Sequence, residues 1–191
     1  YIRETKNKDP RQAIEAATEA GASGPTLEGL FTAARRAARR ARRETRIGQG
    51  AASVPSAAVQ LAESLTGGLA ERDILLVGAG KMGLLTAQQL LRLGAARIVV
   101  SNRSFERASD LARQWGGEAL PLSRLQEALR RADVVLSSTG ASDFVIRPAD
   151  VRAALAERES PHPLLLIDLA VPRDIDPVVR GLPGVTVVDL D

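Results

Sequence analysis

The chain has 191 residues, 45% of them hydrophobic, and a formal net charge of +3, enough for one ordinary domain with a core and part of a second. It opens on no charged-then-apolar leader and holds no apolar run of the about 18 residues that cross a bilayer, so a cytoplasmic setting without membrane contact is expected. Cysteine is absent, which excludes disulfides, thiolate metal sites and a cysteine nucleophile within these residues, and no metal site is expected.

In chain order, Tyr1 to Pro10 is charged and without periodicity, and is expected to carry little fixed structure. Arg11 to Ala20 is alanine-rich and helical, and two glycines and a proline break it between Gly21 and Pro25. Thr26 can cap a second helix that carries Leu27, Leu30, Phe31, Ala34, Ala38 and Ala41 on one side. Between Arg35 and Arg46 that helix carries seven arginines against the single acid Glu44. Two readings of this run stay open: a solvated helix face, or contact with a phosphate backbone, most naturally RNA. No interleaved aromatic residues suggest base stacking.

Gly48 to Gly50 closes that helix, and Ser53 begins another whose Ala57, Ala58, Leu61 and Leu65 are spaced for a buried face. Gly67 and Gly68 end it, and a domain boundary is expected near residue 50, giving a helical segment over 1–50 and a second domain over 51–191.

From Asp73 the pattern changes. Ile74, Leu75, Leu76 and Val77 form a branched apolar run that ends in Gly78-Ala79-Gly80-Lys81-Met82-Gly83, followed by helix-forming residues to Leu93. A buried strand, a glycine turn and a helix start in this order are what a dinucleotide-binding turn requires. Gly78 allows backbone angles that a Cβ opposes, Gly80 lets the main chain approach a pyrophosphate, and Gly83 allows close helix packing. The first-turn amides, at Lys81, Met82 and Gly83, then face the phosphates with the helix dipole behind them. The side chains of Met82 and Trp115 read as packing groups, and a purely structural turn is the alternative reading of the whole motif.

Strands and helices alternate from there: strand Arg97 to Ser101, helix Phe105 to Trp115, a weak strand near Ala119, helix Ser123 to Arg131, strand Asp133 to Ser138, helix Pro148 to Arg158, and strands Leu164 to Leu169 and Val185 to Asp189. Such alternation predicts an α/β fold, a doubly wound parallel sheet covered on both faces and preceded by the N-terminal helical segment. The strand ends that carry a ligand then share one edge.

Where a carboxylate holds a free ribose 2′-hydroxyl, about 20 residues after the glycine motif, this chain has Ser101-Asn102-Arg103-Ser104. A guanidinium with short donors beside it suits a 2′-phosphate and so NADP(H), although Arg103 can also be an exposed loop residue. Ser137-Ser138-Thr139-Gly140 and Asp168-Leu169-Ala170-Val171-Pro172-Arg173 follow later strands and supply small residues for the nicotinamide half, with Thr139, Gly140 and Asp168 as candidates. Asp168 can equally tie its own loop, and Arg173 can pair with Asp174 or Asp176. His162, between two prolines, reads as inert.

The segments LFTAARRAARRARRETRIGQGAASVPSAAVQLA, LLVGAGKMG, VVSNRSFERASDLA, ADVVLSSTGA and LLLIDLAVPRDIDP, in this order and spacing, resemble glutamyl-tRNA reductase over about residues 11 to 191. The run from Arg43-Glu44-Thr45 to Ser53 and the IDLAVPRDIDP segment are more specific than the glycine motif; shikimate dehydrogenases share the glycine turn and the Asn-Arg pair but are not expected to carry those two segments. The resemblance implies a Rossmann-type domain for NADPH, preceded by the last helices of a catalytic domain. It also implies an enzyme that forms a thioester between glutamate from glutamyl-tRNA and a cysteine, reduces it to glutamate-1-semialdehyde for tetrapyrrole synthesis, and dimerises through a C-terminal helical domain. Residues 1–10 depart from the family pattern. No catalytic residue is assigned within these 191 residues. A shikimate-dehydrogenase-like NADP oxidoreductase domain and a non-catalytic dinucleotide- or RNA-binding module are the alternatives.

Overall fold

The computed structural model describes residues 14, 17–44, 53–158 and 160–190, and the chain divides into two units, Tyr1–Gly50 and Ala51–Asp191. The expectations for Tyr1 to Pro10 and for the closing turn at Gly48 to Gly50 lie outside the described residues.

In the first unit, Ile14 and Ala17 to Glu19 are helical, and helix α1 spans Pro25–Glu44. Thr26 therefore sits inside the first turn of α1 rather than capping it, because Pro25, whose fixed φ and missing N–H suit a helix start, already occupies the helix. Ser23 donates its hydroxyl to the Glu28 carboxylate at 3.1 Å, which holds a negative charge over the positive end of the helix. Arg36 and Arg40 are exposed on α1.

The second unit opens with helix α2 (Val54–Thr66), capped by Ser53, whose side chain accepts from the Ser56 amide at 3.3 Å, and closed by Gly67 in the left-handed region at φ +71°. Its buried side is Pro55, Ala58, Val59 and Ala62. Ala57, Leu61 and Leu65 are not buried, so the expected face is corrected by about one residue. The reason is helix spacing. Ala58 and Ala62 are small enough to let α2 lie close on Ala87 and Leu90 of the next helix, whereas Leu61 and Leu65 would hold the two helices apart.

Strand β1 (Asp73–Val77), helix α3 (Lys81–Arg92), strand β2 (Arg97–Asn102), helix α4 (Phe105–Arg113) and strand β3 (Glu118–Pro121) form the first half of the sheet. A short 3-10 turn (Leu122–Arg124), helix α5 (Leu125–Arg131), strand β4 (Val134–Ser137), helix α6 (Pro148–Ala156), strand β5 (Leu164–Asp168), a 3-10 segment (Pro177–Gly181) and strand β6 (Val185–Val188) complete it. All strand pairs are parallel and the order is β3-β2-β1-β4-β5-β6. The chain runs outward from β1 to one edge and then returns to build the other side from β4. This is a Rossmann-type doubly wound sheet, as the alternation of patterns predicted.

Alternation within each strand divides the core. Ile74 and Leu76 pack with Ile98, Val100, Val134 and Leu136 under α2, α3 and α4. Leu75 and Val77 face the other way, with Val135, Leu164 and Leu166 under α5, α6 and the second 3-10 segment. Both faces are covered, which is why the strands read as continuous apolar runs. Burying each such Leu, Ile or Val favours folding by about 1.5–3 kcal/mol.

Candidate dinucleotide site

The crevice follows from the strand order. β1 and β4 are neighbours, yet their chains leave the sheet toward opposite faces, so their C-terminal ends part. A cleft of about 920 Å³ opens there, at the upper end of the volumes that ligand sites occupy. Three pieces line it: the turn Val77 to Gly80, the head of α4 with Asn102, Arg103, Ser104 and Arg107, and the loop Ser138 to Val145, with Leu122 from beyond β3.

The glycine turn is fixed by its neighbours. Gly78 has φ +105°, donates its amide to the Ser101 carbonyl at 2.8 Å, and would place a Cβ 2.6 Å from the Ser138 carbonyl oxygen. A Cβ on Gly83 would stand 2.2 Å from the Gly78 carbonyl oxygen, so this glycine admits the turn itself into the first turn of α3. Around Gly80 nothing lies within 4 Å of such an atom, and Gly80 lines the cleft. As N-cap of α3 it brings no side chain to cap the first-turn amides. An anion can therefore take the capping role.

At the end of β2, the Asn102 side chain accepts from the Ala79 amide at 3.4 Å and donates to the Ser104 carbonyl at 3.1 Å, which ties the glycine turn to the head of α4. Ser104 caps α4 by accepting from the Arg107 amide at 3.4 Å and donates its hydroxyl to Glu106 at 2.8 Å. The Glu106 carboxyl is held below its ordinary pKa by a backbone hydrogen bond and then by Ser104. Arg103 and Arg107 are exposed and both line the cleft. Arg107 was not singled out from the sequence. Its signal was the spacing of four residues after Arg103, at the first turn of a helix capped by Ser104.

The facing wall is the loop after β4. Thr139 and Gly140 line it, together with Ser138, whose hydroxyl is buried without a hydrogen-bond partner. Sequence reasoning did not single out Ala141 to Val145, which continue the wall. Nor did it find the residue that holds it. Asp174, fully buried, accepts at Oδ2 from the Ser137 hydroxyl and the Thr139 amide, both at 2.7 Å, and at Oδ1 from the Thr139 hydroxyl. Arg173 instead pairs with Asp189 at 3.4 Å, which corrects the pairing with Asp174 or Asp176. A residue aimed into the fold next to one aimed outward leaves no signal in a string of charges.

Asp168 does not line the cleft. Its carboxylate accepts from the amides of Ala170 at 3.0 Å and Ile175 at 2.8 Å, so of its two open roles the geometry fits the loop tie. Burial pushes its carboxyl above the ordinary value and the Asp174 charge adds to the rise, against the bonds from the Ala170 and Ile175 amides and, last, the Asp174 amide. Ser101 is buried behind the turn, and Lys81, Met82 and Gly83 form the first turn of α3 beyond the cleft lining. His162 lies away from the cleft, near the opposite ends of the strands.

A family model described as shikimate / quinate 5-dehydrogenase matches residues 60–191. A glutamyl-tRNA reductase of Rubrobacter xylanophilus is 46% identical over 181 residues, which are 95% of this chain and 42% of that protein. The chain belongs to the shikimate / quinate 5-dehydrogenase domain family, and its curated relatives are glutamyl-tRNA reductases. The solved glutamyl-tRNA reductase from Methanopyrus kandleri is 42% identical with a TM-score of 0.69, over 94% of this chain and 45% of that one. The nucleotide binding domain of glutamyl-tRNA reductase from Thermoplasma volcanium, 20% identical with a TM-score of 0.53, covers 71% of this chain and 85% of its own, and shares the fold. The chain thus spans less than half the length of the curated glutamyl-tRNA reductases it matches. These relatives form an oxidoreductase family, and the resemblance read from the sequence is borne out at the level of the family and of the Rossmann-type domain. Among the described residues, no helix is long and apolar enough to cross a membrane and no group of three metal-ligating side chains occurs.

Proposed function

We propose that this chain supplies the NADPH-binding part of a cytoplasmic glutamyl-tRNA reductase, which makes glutamate-1-semialdehyde for tetrapyrrole synthesis. The observation that carries the reading is one cleft joining the glycine turn, Arg103 just after β2 with Arg107 in the first turn of α4, and the loop after β4. The residues present fit the cofactor. Gly80 leaves space and the uncapped start of α3 for a pyrophosphate, and the orphaned Ser138 hydroxyl offers a polar group at the wall. When bound, the cofactor supplies hydride. Arg103, with Arg107 beside it and Asn102 as a shorter donor, would hold the 2′-phosphate, while Ser104 caps the helix that carries Arg107. The wall at Thr139 and Gly140 would orient the nicotinamide half and exclude water from it.

The activity of the whole protein needs a nucleophile that these residues lack. Cysteine is absent here, and a serine or threonine hydroxyl is a far weaker nucleophile without an adjacent base. In this reading residues 1–50 are the end of the catalytic domain and a linker, 51–191 the NADP(H)-binding domain, and the arginines of α1 add contacts to the tRNA phosphates. The full-length enzyme pairs through a further helical domain.

Fluorescence titration of the purified chain tests the cofactor. NADPH should bind, and Arg103→Ala should weaken it by about 10- to 100-fold, the size of a lost charge-assisted bond, while NADH binding stays nearly unchanged. Equal losses for both cofactors would refute the 2′-phosphate role. Glutamyl-tRNA supplied to the same NADPH-loaded chain should give no semialdehyde, and detectable product would refute the assignment of the chemistry to a cysteine outside it.

A further inference from the structure

Asp174 lies outside the cleft, in the connection between β5 and β6, yet both ends of the loop Ser138 to Val145 hang on it. At the start of that loop its carboxylate takes the Ser137 hydroxyl, the Thr139 amide and the Thr139 hydroxyl. Thr139 Oγ1 in turn accepts from the Ala141 amide at 3.1 Å. At the far end the Asp174 carbonyl accepts from the amides of Val145 at 2.7 Å and Ile146 at 3.0 Å. Asp174 is itself held in place, because Asp168 accepts from the amides of Ala170 and Ile175 on either side of it. Arg173 is turned away to Asp189, and the three donors to the Asp174 carboxylate are neutral groups. A buried carboxylate satisfied this way is costly to disturb, since removing it strands several polar groups together.

We infer that Asp174 is the positioning residue for the nicotinamide-side wall of the cleft, acting on the cofactor only through Thr139 and the loop it anchors. This rests on the reading of the cleft as a dinucleotide site. The two halves of such a sheet each serve one mononucleotide, and the loop after β4 belongs to the half that holds the nicotinamide. The Asn102 to Arg107 side of the cleft is not bonded to Asp174 and keeps its own supports. Loss of Asp174 is therefore selective: it loosens one half of the site and spares the other.

Adenosine 2′,5′-bisphosphate carries the half of NADPH without nicotinamide, so comparing the two ligands separates a positioning role from a general loss of structure. Asp174→Ala should weaken NADPH by about tenfold, as expected for stranded hydrogen-bonding groups, and leave the bisphosphate unchanged. Asp174→Asn should restore NADPH binding to within about threefold. Its amide oxygen can accept from Ser137 and the Thr139 amide while its NH2 donates to Thr139 Oγ1, which can accept. Should Asp174→Ala fail to fold, Thr139→Val carries the test, because it keeps the amide bond, drops the hydroxyl and should cost about threefold on NADPH alone. Equal losses on both ligands, no loss on NADPH, or an Asn variant as weak as Ala would overturn the inference. Failure of the unsubstituted chain to bind either ligand would overturn the cofactor reading instead.

Discussion

Gly83→Ala sets helix propensity against tertiary packing. In an isolated helix the exchange would favour folding by about 1 kcal/mol. Here the new Cβ would stand 2.2 Å from the Gly78 carbonyl oxygen, about 1.2 Å inside the 3.4 Å at which ordinary contact begins. Gly78 cannot give way easily. It is held by the Ser101 carbonyl on one side, lies against Ser138 on the other, and already has a φ open to few other residues. The strain must be taken up by moving α3 off β1, and overpacking of this kind costs about 1–3 kcal/mol. For a domain of this size that lowers Tm by roughly 3–10 °C. Gly80→Ala should do the opposite. Its Cβ meets nothing within 4 Å and its φ of −86° suits alanine, so stability should change by less than about 1 kcal/mol. The methyl group would instead enter the space proposed for the pyrophosphate and weaken NADPH by about tenfold or more. Thermal unfolding by circular dichroism and NADPH fluorescence titration on both variants read the two effects separately. A Gly83→Ala protein as stable as its parent, or a Gly80→Ala protein that binds NADPH equally well, would refute this account of the turn.

Two further outcomes are expected. In the intact enzyme, replacing Arg35, Arg39 and Arg42 by Gln should flatten the salt dependence of tRNA binding, by about 0.9 in the log–log slope for each duplex phosphate that an arginine no longer neutralises; an unchanged slope would make the run a solvated helix face. Carbon-detected NMR titration should find the Asp168 carboxyl above its ordinary value of 3.8, because burial outweighs the amide bonds from Ala170 and Ile175. The folded state then keeps a proton that the unfolded chain has released. This group's contribution to stability is therefore largest below the ordinary carboxylate pKa and is lost as pH rises through the raised folded value. A midpoint at or under 3.8 would show the amide bonds to be the stronger influence.

The sequence by itself determined whatever depends on neighbours along the chain. The glycine spacing after β1, the cap at Ser53, the glycine stop at Gly67 and the strand–helix alternation are local patterns, and each names an element without knowledge of its partners. Parallel pairing and coverage on both faces followed, since strands with no polar face cannot meet water. Tertiary structure decided which of two apolar stripes on α2 is buried, because that depends on the size of the residues it meets on α3. It also separated two acidic residues that look alike in the string: Asp168 ties its own loop, and Asp174 reaches back 35 residues to Thr139. A carboxylate satisfied by backbone amides and hydroxyls from a distant loop has no counterpart in local charge pattern or period. The candidate acid of the cleft and the residue that shapes its wall therefore became distinguishable only when β4 and β5 lay side by side.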